Sequence, residues 1–229
     1  MRVRVGTTGY SYKEWIGSFY PEDLPAAGML GHYAQRLGAV EISNTFYRMP
    51  KQAVVRNWAE QVPADFSFSL KASQRITHKK CLQDADDELA FVLKNAAELG
   101  DKLGPLLFQL PPFLRKGADR LRSFLNLLPA GCRAGVEFRH ASWFDEEIFD
   151  ALREKNVALV VSDTDDDSEA PIVPTASYGY VRLRRGHYAK DALAAWAKRI
   201  ADQPWDEVHV YFKHEKDGAG PGPAEAFFQ

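Results

Sequence analysis

Short apolar or alternating runs recur along the chain, each separated from the next by a stretch with helical spacing. The clearest run begins at Gly135. Val136 and Phe138 fall on one face of a strand there, and Glu137 and Arg139 on the other. Strands are predicted over 2–6, 39–43, 66–71, 106–110 and 135–139, then 157–161 running into Ser162-Asp163, 179–183 and 207–212. Between them, apolar positions three and four apart predict helices over 29–37, 51–61, 84–102, 121–128, 146–155 and 189–201. Gly38 reads as the C-cap of the first helix, and Pro63 ends the second. Two stretches are irregular. The segment 164–177 is acidic and carries proline, with no helical pattern. The abrupt end after strand eight leaves the final helix short, as truncation would.

Eight strands alternating with helices, with no linker or composition break, predict one domain over residues 1–229. The expected fold is α/β, a parallel TIM (β/α)₈ barrel, slightly irregular after strand six and at the last helix. An open doubly wound sheet is the competing arrangement. Buried parallel strands usually read as unbroken apolar runs, and these do not. If the apolar positions face the outer helices, the others face the barrel axis. That inward set is Arg4, Glu41, Ser43, Lys71, Gln109, Glu137 and Arg139, with Asp163, Tyr180, Arg182, Arg184, His209, Tyr211 and Lys213. Most lie near the C-terminal ends of their strands, where barrel enzymes carry their chemistry.

Three acids in this set, Glu41, Glu137 and Asp163, face six bases, Arg4, Lys71, Arg139, Arg182, Arg184 and Lys213. An excess of buried cation is costly without a balancing anion, and arginine offers a planar fork for carboxylate or phosphate. The competing account is an internal ion-pair network with partners such as Glu41–Lys71 and Glu137–Arg182. Four residues are candidate catalytic groups: Glu137 or Asp163 as general base, with Lys71 or His78 as acid or Lys71 as electrostatic stabiliser. The candidate substrate-binding set is Glu41, Asn44, Tyr47, Gln109, Arg139, Trp143, Arg182, Arg184, Tyr211 and Lys213. His140 is a second loop histidine. Trp15, Tyr20, Phe46, Tyr47 and Trp143 follow strand ends and either wall a pocket or cap the core. Gly6-Thr7-Thr8-Gly9 and Arg184-Arg185-Gly186 are weak phosphate-loop signals, with His187 and His214 beside the last two strands. No cofactor is predicted. A divalent metal on Glu41, Glu137, Asp163 and His209 is the weaker expectation, because cations crowd those ligands and no paired-histidine spacing supports them.

Composition changes this picture little. The 229 residues are 45% hydrophobic and 26% charged, an ordinary globular balance, and a net charge of −2 gives no global basic field for nucleic acid. Cys81 and Cys132 sit in no metal or redox spacing and read as free thiols. The N-terminus lacks an apolar signal region and no run approaches a membrane span, so a cytoplasmic location is expected.

Several motifs are familiar together: Gly6-Thr7-Thr8-Gly9-Tyr10-Ser11-Tyr12 with Trp15 and Phe19-Tyr20-Pro21, and Val40-Glu41-Ile42-Ser43-Asn44-Thr45-Phe46-Tyr47. Others are Ile76-Thr77-His78, residues 104–113 around Gln109-Leu110-Pro111-Pro112, Val136 to Trp143, Tyr180-Val181-Arg182-Leu183 and Tyr211-Phe212. In this order, over nearly the whole chain, they resemble the DUF72 (YecE-like) family. The resemblance implies a TIM barrel and supplies no reaction. It departs at Lys213-His214-Glu215-Lys216, where the family usually has a pair of asparagines.

The functional expectation is an enzyme, a hydrolase, lyase or isomerase, acting by acid–base chemistry. Its substrate is a small anionic molecule, phosphorylated or an acidic sugar, bound at the barrel mouth. The alternatives are a nucleic-acid-binding or repair-like barrel and a non-catalytic anion-binding protein. No membrane partner is expected.

Overall fold

A computed structural model describes residues 1–164, 170–213 and 221–228. Its core is an eight-stranded parallel sheet. The strands are β1 (Arg2–Thr8), β2 (Ala39–Ile42), β3 (Ser67–Leu70) and β4 (Leu106–Gln109), then β5 (Ala134–Glu137), β6 (Ala158–Asp163), β7 (Tyr178–Leu183) and β8 (Glu207–Phe212). The spatial order is β3-β2-β1-β8-β7-β6-β5-β4, so the sheet curls round until β3 meets β4. That last junction is a seam. Two isolated parallel bridges, Phe68 to Leu103 and Lys71 to Leu107, stand in place of a continuous ladder.

Helices α1 (Met29–Ala34), α2 (Gln52–Glu60), α3 (Asp86–Ala96), α4 (Ala118–Asn126), α5 (Glu146–Glu154), α6 (Lys190–Ala201) and α7 (Pro221–Phe228) alternate with the strands. Their apolar stripes pack on the outward face of the barrel. In α5 that stripe is Ile148, Phe149, Ala151 and Leu152, and the Asp145 carboxylate caps the helix by accepting the Glu147 amide at 3.0 Å. The expected long helix over 84–102 is broken. It is α-helical only to Ala96 and continues as a 3₁₀ segment in which Gly100 turns to φ +56°. Gly38 is not a left-handed cap, because α1 already ends at Ala34. Among the described residues no helix separates β6 from β7, as expected, while 165–169 of that acidic stretch lie outside the described residues.

The barrel interior is filled by its own small cluster, including Ala39, Leu107, Ala158, Val160, Tyr178, Tyr180 and Tyr211. Gly135 makes this packing feasible, since a Cβ there would stand 2.9 Å from Val160 and 3.1 Å from the Tyr180 ring. A polar thread runs through the same space. Tyr211 Oη donates to Ser69 Oγ at 2.8 Å, and His209 Nδ1 lies 3.2 Å from Tyr211 Oη. Tyr211, expected to contact substrate, is fully buried in this stack and is a filler of the barrel. Arg4 also departs from the expected mouth. It pairs with Glu207 at the opposite end of the barrel, where Arg133 holds the same carboxylate at 2.6 Å.

Burial holds His209 neutral, moving its titration from 6.5 down to about 4. Between those values the unfolded chain binds the proton and the folded chain does not, so stability must fall as pH drops through that window. Urea midpoints should decline from pH 6.5 toward about 4, and His209→Gln should flatten the decline above about pH 5.

Candidate functional site at the barrel mouth

Glu41 lies on β2 one residue before its end, Glu137 ends β5 and Arg182 lies on β7, all inward and buried. Strand alternation sends Val136 and Phe138 out to the helices and turns Glu137 and Arg139 in, as expected. Arg182 spans the two acids, with Nη1 2.5 Å from Glu137 Oε2 and Nη2 2.8 Å from Glu41 Oε1. Tyr180 Oη donates to Glu41 Oε2 at 2.8 Å and Ser43 Oγ to Glu41 Oε1 at 3.0 Å. The expected Glu137–Arg182 pair is therefore present, but Glu41 pairs with Arg182 and not with Lys71.

Glu137 receives more. Gln109 Nε2 and Arg139 Nη1 each donate to its Oε1 at 2.9 Å, and Arg184 Nη1 stands 3.7 Å from the same atom. Burial pushes this carboxyl up, but Arg182, Arg184 and Arg139 together outweigh it and hold it at about 2. A group that stays ionised so firmly is a poor proton acceptor at neutral pH. Glu137 is an anchor for arginines, and the general-base role expected of it does not fit.

Asp163 corrects the expectation more sharply. In the β6–β7 register Ser162 pairs with Arg182 and Asp163 with Leu183, so Ser162 shares the inward face and Asp163 points outward. Its carboxylate accepts the Arg184 amide at 2.7 Å, the Tyr188 hydroxyl at 2.6 Å and Arg185 Nε at 3.1 Å. The loop after β7, read as a phosphate-binding signal, thus already holds the protein's own carboxylate. The Gly6–Gly9 signal fails similarly. β1 runs through Thr8, and the Gly9 amide donates to the Glu41 carbonyl at 2.8 Å. The four expected metal ligands are not brought together either. Asp163 is outside, His209 lies deep beside Tyr211, and Arg182 separates Glu41 from Glu137. Among the described residues no group of three His, Cys, Asp or Glu could hold a metal ion.

The aromatics divide. Trp143 is fully buried, stacks on Phe138 with centroids 4.7 Å apart and donates Nε1–H to the Leu114 carbonyl at 2.7 Å. It caps the outer core, buried away from the surface where substrate contact was expected of it. Trp15 and Tyr20 are equally buried. Phe46 and Tyr47, just beyond β2, remain at the mouth. Phe46, expected only as a pocket wall or a core cap and absent from the candidate binding set, organises this edge: Lys71 Nζ lies 4.2 Å from its ring centre and the His78 ring meets it edge-on at 4.9 Å. Its place beside Asn44 and Tyr47 was the available signal. His78 sits on a π-helical turn, Arg75–Lys79, in the connection that follows β3, and its Nδ1 lies 2.9 Å from Thr77 Oγ1. Burial and the charge on Lys71 both lower its pKa. His140 is a cap, taking the Ser142 amide on Nδ1. Asn44 and Lys213 are exposed at the rim, and residues 214–216 of the divergent stretch lie outside the described residues.

Openings adjoin the polar ring. A cleft of about 360 Å³ is lined by Arg139, Ser162, Phe138 and Phe144, and one of about 190 Å³ by Asn44, Ser43 and Tyr12. A wider groove of about 820 Å³ leads away past Tyr47, Arg48, Lys51, Arg75 and Phe91.

Arg182 is the tie between two otherwise repelling buried acids. Arg182→Met should lower stability by about 3–5 kcal/mol, because both carboxylates lose their main counter-charge. Urea unfolding of that variant at falling pH should show it regaining part of the loss as the acids take up protons, opposite to the wild-type trend.

The mouth can be compared with known proteins. YecE of Escherichia coli K12, a UPF0759 protein, is 29% identical over 168 residues, which is 71% of this chain and 59% of YecE. The chain thus spans about 59% of the length of that relative. YunF of Bacillus subtilis 168, also UPF0759, is 24% identical over 229 residues, 93% of this chain and 79% of YunF. A DUF72 family crystal structure from Thermotoga maritima superposes with a TM-score of 0.85 at 24% identity, covering 100% of this chain and 98% of that one. One from Enterococcus faecalis gives 0.82 at 20% identity, covering 98% and 94%. These structural likenesses carry the fold. The profile described as "Protein of unknown function DUF72" matches residues 4–229, and the chain belongs to that family.

Proposed function

We propose that the C-terminal mouth of the barrel binds a small anionic molecule and performs acid–base chemistry on it. The carrying observation is a charge imbalance. Among the described residues, Glu41 and Glu137 face Arg182, Arg184, Arg139 and Lys71. Removing Arg4 and Asp163 from the expected set leaves that excess of cation intact. Arg184 Nη1 is buried without a hydrogen bond, and Ser162 Oγ, in the cleft beside Arg139, is likewise unpartnered among the described residues. Stranded donors, one of them in an open cleft, are what an arriving anion would satisfy. With Glu137 ionised and Asp163 turned away, Lys71 and His78 are the groups left to move protons. Burial, and then the charge on Arg182, lower Lys71 to about 8. Arg139 and Arg184 hold the anion, and Gln109 positions Glu137.

Sulfate, which does not titrate near neutrality, is the simplest probe. It should raise the melting temperature of the wild-type protein. Arg139→Gln and Arg184→Gln should each weaken it about tenfold or more. Binding should also weaken as pH rises through about 8, because Lys71 then loses its charge. No sulfate effect in any of these proteins would end the anion reading.

The wide groove favours a second reading, a single-stranded nucleic acid. Tyr47 and Phe91, 73% and 55% exposed, line it with Arg48, Lys51 and Arg75. Bases stack on such rings while cations track the backbone. This reading expects oligonucleotide affinity in anisotropy titrations that falls steeply with salt and is lost in Tyr47→Ala.

A further inference from the structure

Lys71 differs from Arg139, Arg182 and Arg184 in lacking a carboxylate. The charged and titratable groups around it are Glu41 from β2, Glu137 from β5, Arg182 and Arg184 from β7, and His78 from the turn after β3. Both acids are already engaged by Arg182. Among the described residues Lys71 Nζ therefore has no ion pair and no hydrogen bond. Its contact is the face of Phe46. It is partly buried. An amine kept from carboxylates, half desolvated and crowded by other cations, is the arrangement that favours the uncharged nucleophilic form.

We propose that Lys71 is a covalent nucleophile that forms an imine with a small aldehyde or ketone carrying an anionic group. The inference rests on the anion-binding reading of the mouth and names its substrate class. The Lys71 nitrogen donates its lone pair to the carbonyl carbon, a C–N bond forms, and the carbonyl π pair moves to oxygen, which takes a proton. Nitrogen loses a proton to give a neutral carbinolamine. Protonation of the hydroxyl then expels water as the C=N bond forms, and the iminium nitrogen releases its proton, so amine plus carbonyl gives imine plus water. His78, packed on the same Phe46 ring, is the neighbouring group able to pass these protons. Arg139 and Arg184 hold the carboxylate or phosphate of the same molecule.

The pKa of Lys71 agrees with this role. A lysine titrating at about 8 carries on the order of a hundredfold more free amine at neutral pH than one at 10.5.

Borohydride reduces an imine to a stable secondary amine, which allows a direct test on the full chain. Pyruvate, dihydroxyacetone phosphate and acetone are each incubated with the protein and borohydride, and the modified lysines are located by peptide mass spectrometry. Pyruvate or dihydroxyacetone phosphate should label Lys71 about tenfold or more above both acetone and the exposed Lys155. Labelling should rise with pH through about 8. Arg184→Gln, which leaves Lys71 in place, should bring pyruvate labelling down to the acetone level. No adduct at Lys71, or one no stronger than at Lys155, overturns the proposal. If sulfate still raises the melting temperature in that case, the imine fails and the anion site stands. Equal labelling by acetone and pyruvate overturns the anionic substrate class.

Discussion

Two carboxylates inside a barrel repel each other and lose their water, and one guanidinium makes both tolerable here. Arg182 reaches Glu41 with one nitrogen and Glu137 with another. Because it takes both acids, the surrounding groups are left with distinct conditions. Glu137 keeps enough negative charge to gather Arg139 and Gln109, and Arg184 is drawn close without a hydrogen bond. Lys71 is left with an aromatic face. The mouth's chemistry is thus a consequence of how one buried ion pair is shared. Such clusters are seldom the cheapest way to fill a core, and fixing geometry is the better-attested reason to keep them.

The fold was legible because its periodicities are strong. Eight strand-like runs alternating with helical spacing leave few architectures, and every strand was found at nearly its expected place. The inward residues were legible wherever a strand alternates, as in Val136-Glu137-Phe138-Arg139. They were not legible in β6. Its run Ala158-Leu159-Val160-Val161 is apolar on both faces, because a parallel strand between helices and a filled barrel has no wet side. With no alternation to count from, parity puts Asp163 inward, one residue out of phase with the register. Trp143 and Tyr211 misled for another reason. A large ring near a strand end suits a pocket wall and a core cap equally, and three-dimensional packing decides which.

Lys71 shows a limit of a different kind. The sequence places it at the mouth, with Glu41 as its partner under the competing ion-pair account. That inference ignores competition. Arg182 offers a fork that reaches two carboxylates together, which a single ammonium cannot match. The amine is thereby displaced onto Phe46, and that displacement makes it chemically interesting.

The uneven closure of the barrel bears on how it forms. β1 and β8 share six register pairs, from Arg2 with Glu207 to Thr7 with Phe212, although about 200 residues of chain lie between them. β3 and β4, neighbours in sequence, meet only through two isolated bridges. A six-pair ladder, as long as that between the sequence neighbours β7 and β8, therefore stands where loop-closure entropy is greatest, about 5 kcal/mol for a loop of that length. The cheap, local junction is left thin. A chain built this way can pair most of its strands with their sequence neighbours, but it closes its barrel only once its two ends have met, and that non-local step is the slow one.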